Sequence, residues 1–256
     1  MTDVPGGPRG GWGGGQGGWG AGAPHAERQP PHARERRLAL AGERGPLWIS
    51  AARQTAGRGR RGRAWESPAG NLSASLLIAP GRPASECAQL SFVAALAASD
   101  MALSFGADAR VKWPNDVLVS GAKIAGILLE SASQGGADPA WLVIGIGVNL
   151  KHHPADTEFP ATSLAAAGVA PPEPREALLR LAASFAKWYE LWRAEGFAPV
   201  RDAWLARAAG LGTRIRARLQ NGETMGVFEG IDANGALLLR ETQDRVRAIA
   251  AGEVFF

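Results

Sequence analysis

The sequence holds a single cysteine, Cys87, among 256 residues. One cysteine cannot form an internal bridge, and it supplies too little for a cysteine-based metal site. Its place in an apolar helical stretch marks it as a buried structural thiol. No apolar run looks long enough to span a bilayer, and the N-terminus lacks the basic-then-apolar pattern of a secretory signal. These absences predict a reducing, cytoplasmic setting with no membrane partner. Internal repeats are missing too. So is a helix-turn-helix pattern ahead of the Arg/Gly-rich segment, which argues against a repressor and a DNA partner. The charge excess is small, a formal +4 with a pI near 9.8. It is arginine-heavy, and it suits a phosphate-bearing ligand or an acidic partner without demanding nucleic acid.

What is present suffices for one large domain and a small one, since 46% of the residues are hydrophobic. Residues 1–36 are different material: glycine broken by Trp12 and Trp19, then Pro, His and Arg. Such a segment cannot bury enough apolar surface to offset its ordering entropy, so it reads as a disordered tail. Residues 37–210 read as the large domain, of α+β class. Strands are predicted over 46–52, 72–79, 111–120, 123–131 and 141–150. Helices are predicted over 86–105, 175–196 and 199–209, with a proline-punctuated loop over 154–174. The helical signal is periodic. Leu90, Val93, Ala97 and Met101 share one face; Leu178, Leu181, Ala182, Phe185, Trp188, Tyr189 and Trp192 share another, as core packing would require. Residues 211–256 read as short strands over 213–219, 226–231, 236–240 and 245–249. Asn221-Gly222 and Asn234-Gly235 are hairpin turns between them, which predicts a small β-barrel.

Four segments carry chemistry. The first is Gln54-Thr-Ala-Gly57-Arg58-Gly59-Arg60-Arg61-Gly62-Arg63-Ala-Trp65. Glycine lets a backbone approach phosphate closely, and arginine binds phosphate oxygens with a forked donor pair. Solvated charge runs and RNA-binding tails have similar composition, but this loop lies between apolar strands. The second is Val111-Lys112-Trp113-Pro114-Asn115-Asp116. Lysine can hold a phosphate as a point charge, and aspartate can hold Mg²⁺; the same word is also an edge strand ending in a turn. In the third, Lys123 opens the apolar run 123–130. It either keeps its head in water at a strand end or stabilises negative charge at an anionic site. In the fourth, Gly145 and Gly147 alternate with apolar residues and leave one strand face bare for a backbone or a flat ligand. No helix or third glycine follows, so this is not a dinucleotide fingerprint.

In this order the four segments resemble those of the biotin–protein ligases, the enzymes that biotinylate carboxylases, in their single-function form without a DNA-binding domain. The likeness covers about residues 37–256, more weakly over the C-terminal part. It implies a mixed sheet flanked by helices, like class II aminoacyl-tRNA synthetases, followed by an SH3-like domain. It also implies a two-step reaction with ATP and Mg²⁺: biotin becomes biotinyl-5′-AMP, then passes to a lysine on the biotin carboxyl carrier domain of acetyl-CoA carboxylase or a related carboxylase. By the same likeness, Gln54, Gly57, Arg58, Gly59, Arg60, Trp65, Lys123, Gly145 and Gly147 surround biotin and the adenylate. Trp65 packs over the adenine side. Lys112, Asn115 and Asp116 serve ATP, with Asp116 on the metal. Lys123, Arg58 and Arg60 are the catalytic residues, and a homodimer through a sheet edge occurs in some relatives.

One family feature is missing. A Ser-Thr-Asn word that binds the ureido ring of biotin belongs before Gln54, where this chain has only Thr2 and Ser50 as hydroxyl residues. Either residues 1 to about 35 reflect a shifted frame or a misassigned start, or the strand is deleted and the ligase is weakened. Asn71-Leu72-Ser73 also stands where the family usually has Asn-Leu-Tyr. Two other readings stay open: a related ligase for lipoate or another acid, and a nucleic-acid-binding module using residues 58–63. The second leaves the segments at 112–116 and 145–147 without a role.

Overall fold

The computed structural model describes residues 31–132 and 138–256. A six-stranded sheet has the order β1-β4-β8-β7-β6-β5. Its strands are β1 (Leu47–Ala51), β4 (Leu72–Ile78), β5 (Ala109–Lys112), β6 (Asp116–Val119), β7 (Ala122–Ala132) and β8 (Trp141–Val148). Every neighbouring pair is antiparallel; the two parallel contacts, Val111–Ala208 and Lys123–Ala161, are isolated bridges outside the ladders. Between β1 and β4 a short ribbon stands apart from the sheet, formed by β2 (Gln54–Arg58) and β3 (Ala64–Ser67). The α+β class holds.

Strand alternation sorts the residues of this sheet onto two faces. Leu72, Ala74, Leu76 and Ile78 of β4, with Leu142, Ile144, Ile146 and Val148 of β8, enter the main core. There they meet α3 (Leu90–Ser104) and α4 (Pro174–Glu195). Trp48 of β1 meets Phe185 of α4 edge-on at 5.8 Å. α3 is apolar on all sides because it lies between the sheet and α4 with α5 (Phe197–Leu205). Together with α2 (Ala84–Cys87), the span Ala84–Ser104 is long and apolar enough to cross a membrane by length and composition alone. That departs from the sequence expectation of no such run. Its place in the core, with 72% of its most apolar window buried, accounts for the composition. Cys87 is free and buried, and burial pushes its thiol up to about 11, so it is a poor nucleophile.

The opposite sheet face is apolar at one end only. There Leu77, Trp141 and Val143 pack with Ala39 of α1 (Pro31–Leu40). α1 corrects part of the expected tail: residues 31–36 are helical, and the rest of that expectation, residues 1–30, lies outside the described residues. An arginine-rich composition masked a helix whose inward positions, Glu35 and Ala39, are buried.

A second, five-stranded antiparallel sheet has the order β12-β11-β10-β9-β13. It comprises β9 (Arg214–Leu219), β10 (Gly222–Ile231), β11 (Leu237–Thr242), β12 (Arg245–Ile249) and β13 (Glu253–Phe255). The turn at Asn234-Gly235 is closed by Asp232, whose carboxylate accepts the backbone N–H groups of Asn234 and Ala236. The large domain grips that turn. Trp113 Nε1 donates to the Gly235 carbonyl at 3.0 Å, and Phe92 of α3 fills the space beside Gly235.

Candidate active site

One row of residues crosses the sheet at the end that α1 leaves open. Ala51, Ser73, Gly147, Gly126, Asp116 and Lys112 are successive register partners across β1, β4, β8, β7, β6 and β5. At about 4.8 Å per strand the row runs on the order of 24 Å. Its middle carries no side chains, and its far end carries a carboxylate and an ammonium. Above it lies a cleft of about 440 Å³. Gln54, Arg58, Gly59, Arg60, Trp65, Lys112, Asn115, Asp116, Lys123, Gly145 and Gly147 all line it. Of the residues singled out from sequence, only Gly57 does not. A Cβ on Gly57 would collide with the Trp65 carbonyl, so its bare Cα lets β2 close on β3.

The ribbon is the cleft's roof. The Arg/Gly run, expected as a plain loop, forms β2, a 3₁₀ turn (Arg60–Gly62) and β3. Its tip reverses through Arg61 and Gly62, both left-handed at φ 58° and 75°. β3 lowers Trp65 onto the floor, where its indole occupies the space that a Cβ on Gly147 would need and lies 3.3 Å from where a Cβ on Gly126 would be. Of the two occupants foreseen for the bare strand face, a flat group sits there, and it is the protein's own.

Val111–Ser120, expected as one strand, is instead the hairpin β5–β6. Proline cannot donate to a ladder, so Trp113-Pro114-Asn115 becomes the turn. This reversal brings Lys112 beside Asp116. The Lys123 ammonium is 2.5 Å from Asp116 Oδ1 and 5.6 Å from the Trp65 ring centre. Asn115 is occupied by the protein: its Nδ2 donates to the Ile127 carbonyl at 2.5 Å, and its Oδ1 accepts from Arg60 at 3.3 Å. Burial lowers the Arg60 pKa, with Arg61 acting the same way and Asp116 opposing. Lys112 is only 6% exposed, and burial pushes its ammonium down to about 8 against the pull of Asp116.

Several contributors had no role assigned to them from the sequence. Ser73 Oγ donates to Gln54 Oε1 at 2.9 Å, so the residue in place of the family's tyrosine fixes the orientation of Gln54. Asn71 Oδ1 accepts the backbone N–H groups of Leu150, Lys151 and His152, which holds the chain as it leaves β8. That chain returns past Lys123, which exchanges backbone hydrogen bonds with Pro160 and Thr162 and so sets Phe159 over the cleft. The small domain adds Glu253, whose carboxylate meets Arg63 at 2.6 Å and Arg61 at 3.8 Å. Nothing local in the sequence links these positions; tertiary packing does.

A cleft lined by five cations (Arg58, Arg60, Arg63, Lys112 and Lys123), with Asp116 in its floor row and glycines at the middle of that row, fits a reaction that joins anions, because fixed cations offset their repulsion. Comparison with known proteins agrees. Residues 27–149 match the biotin/lipoate A/B protein ligase family, and residues 210–256 match the biotin protein ligase C-terminal domain. The biotin–[acetyl-CoA-carboxylase] ligase of Paracoccus denitrificans is 47% identical over 234 residues, covering 86% of this chain and 94% of that protein. The bifunctional ligase/repressor of Bacillus subtilis is 36% identical, over 80% of this chain but 65% of its own length. Among solved structures, the biotin protein ligase of Aquifex aeolicus in complex with biotin and ATP superposes with a TM-score of 0.74 at 26% identity. That match covers 89% of this chain and 94% of that one. The chain belongs to the biotin–protein ligase family, and the resemblance read from its four segments is borne out.

Proposed function

We propose that this protein is an ATP-dependent biotin–protein ligase that works in two steps within the cleft. In the first, a carboxylate oxygen of biotin attacks the α-phosphorus of ATP. The bond to the β-phosphate breaks, and pyrophosphate leaves with the electron pair. In the second, the neutral amine of an acceptor lysine attacks the acyl carbon of biotinyl-5′-AMP. The acyl C–O bond breaks, AMP leaves, and the nitrogen sheds its proton. The observation that carries this reading is that one cleft gathers Arg58, Arg60, Lys112, Asp116 and Lys123, with Lys112 and Asp116 at the ionic end of a floor row whose other members are uncharged.

In this proposal Gln54, Ser73, Gly145 and Gly147 accommodate biotin. Arg58, Gly59 and Arg60 line the carboxylate and α-phosphate. Lys123 faces the bridging oxygen, and Trp65 leaves the glycine floor to cover the adenine side. Lys112, Asn115 and Asp116 serve the outer phosphates. Among the described residues no cluster of three metal-ligating side chains exists. The site therefore fits a Mg²⁺ that arrives with the nucleotide, held by Asp116 and phosphate oxygens. Bound there, Mg²⁺ would neutralise phosphate charge. The ribbon roof would shield the mixed anhydride from water.

The acceptor in this reading is a lysine of a biotin carboxyl carrier domain, the reaction is cytoplasmic, and DNA has no part in it. The outer edge of β1 leaves a homodimer room to form. The deciding experiment is biotin-dependent pyrophosphate–ATP exchange, followed by transfer of biotin to a carboxyl carrier domain with and without ATP. Exchange that requires biotin and is not supported by lipoate is the expected result. Exchange indifferent to biotin overturns the reading.

A further inference from the structure

The two lysines of the cleft are held in opposite ways. Lys123 has a carboxylate partner, Asp116, at 2.5 Å. Lys112 is the more buried, at 6% exposure, yet among the described residues no carboxylate lies within ion-pair distance of it. Its ammonium stands 3.8 Å from the centre of the Phe159 ring, 5.6 Å from Phe256 and 6.0 Å from Phe255. Phe159 stacks on Phe255 at 4.6 Å with 25° between the ring planes. Arg216 and Arg218 of β9 lie over Phe255 at 4.3 and 4.5 Å. A single column of cations and rings thus runs from β5 of the large domain to β9 of the small one.

The chemistry of the two arrangements differs. A carboxylate neutralises an ammonium and competes with any incoming anion. An aromatic face attracts the cation through its quadrupole and carries no net charge, so the ammonium keeps its charge for a ligand. Burial strengthens that attraction because water no longer competes for the ammonium.

We propose that Phe159, backed by Phe255, is a positioning residue for nucleotide binding, its ring holding the Lys112 ammonium over the phosphate end of the cleft without neutralising it. The inference rests on the ligase reading above, which assigns Lys112 to the outer phosphates. It reaches further in giving the C-terminal strand, through Phe255, a part in the affinity for ATP but not for biotin.

The test compares Phe159→Leu, which keeps apolar bulk and loses the π face, with Phe159→Tyr, which keeps both. ATP and biotin binding are measured separately by calorimetry on the full chain. Phe159→Leu should weaken ATP by about 5- to 30-fold, the range a desolvated cation–π contact supports. Biotin affinity should stay within about twofold, which also confirms that the variant is folded. Phe159→Tyr should restore ATP affinity, and Phe255→Leu should weaken it in the same direction by less. Unchanged ATP binding in Phe159→Leu overturns the inference, as does an equal loss of ATP and biotin binding in a folded variant. If the wild-type protein binds biotin but no ATP, the ligase reading falls together with it.

Discussion

The Lys123 ammonium lies 2.5 Å from Asp116 Oδ1 and stands over the bare Cα of Gly126, at 3.2 Å from where a Cβ would be. The pair fixes a cation above the cleft floor, where the proposed mechanism has negative charge develop as the adenylate forms. Lys123→Ala is expected to abolish biotin-dependent pyrophosphate exchange, with a loss of about 10³-fold or more, the scale of deleting a preorganised charge. Wild-type exchange in that variant would remove Lys123 from the mechanism.

Gly147→Ala places a methyl group where the Trp65 indole now lies. The methyl and the indole cannot share that space, so Trp65 should be held off the floor, and because the methyl also stands where biotin is proposed to lie, biotin should bind about 10-fold or more weakly. The double variant with Trp65→Ala separates the causes. If the clash with Trp65 is the whole effect, Gly147→Ala should cost little more in that background. An undiminished cost would mean that the methyl group obstructs biotin directly.

Lys112 makes stability depend on pH in a definite sense. Its folded pKa, about 8, lies below the ordinary lysine value of 10.5, so between these the unfolded chain binds more protons than the folded one. Stability therefore rises with pH across that window, and below about 8 the buried charge weighs fully against folding. Lys112→Met should be more stable than the wild type at pH 7, by up to roughly 3 kcal/mol. The difference should shrink as pH rises from 8 to 10.5. Urea melts at the two ends of the window measure it, and a constant difference would contradict the burial account.

Asn71 makes no proposed contact with substrate, yet its carboxamide receives three backbone N–H groups where β8 ends. Asn71→Ala leaves them without that acceptor, buried at Leu150 and part-buried at Lys151 and His152, and should destabilise the protein by about 1–3 kcal/mol. Thermal melting should show a lowered midpoint. ATP binding should weaken as well, because the same segment leads on to Phe159.

Much of this architecture was legible in the sequence. α3 and α4 announced themselves by periodicity, β4, β7 and β8 as apolar runs between turn signals, and the Asn-Gly turns marked the small domain's hairpins. The charged words marked the cleft because the chemistry is concentrated in four short segments. The illegible parts share a cause: they depend on neighbours distant in the chain. α1 is polar in composition and is held by Leu77, Trp141 and Val143. β13 is three residues long and exists by pairing with β9. Ser73, Phe159 and Glu253 act on Gln54, Lys112 and Arg63 across separations that no local pattern spans. The hairpin at Pro114 was read as one strand because its apolar run resumes immediately after the turn.

The row from Ala51 through Ser73, Gly147 and Gly126 to Asp116 and Lys112 grades from small and neutral to ionic along a single line. It works as a ruler with a polarity. A molecule with an uncharged ring at one end and an acid at the other can lie along it in one orientation only, since reversal would set the ring among ions and strand the acid over bare backbone. In the proposed function the sheet would therefore choose which end of the guest reacts, once Trp65 has left the floor.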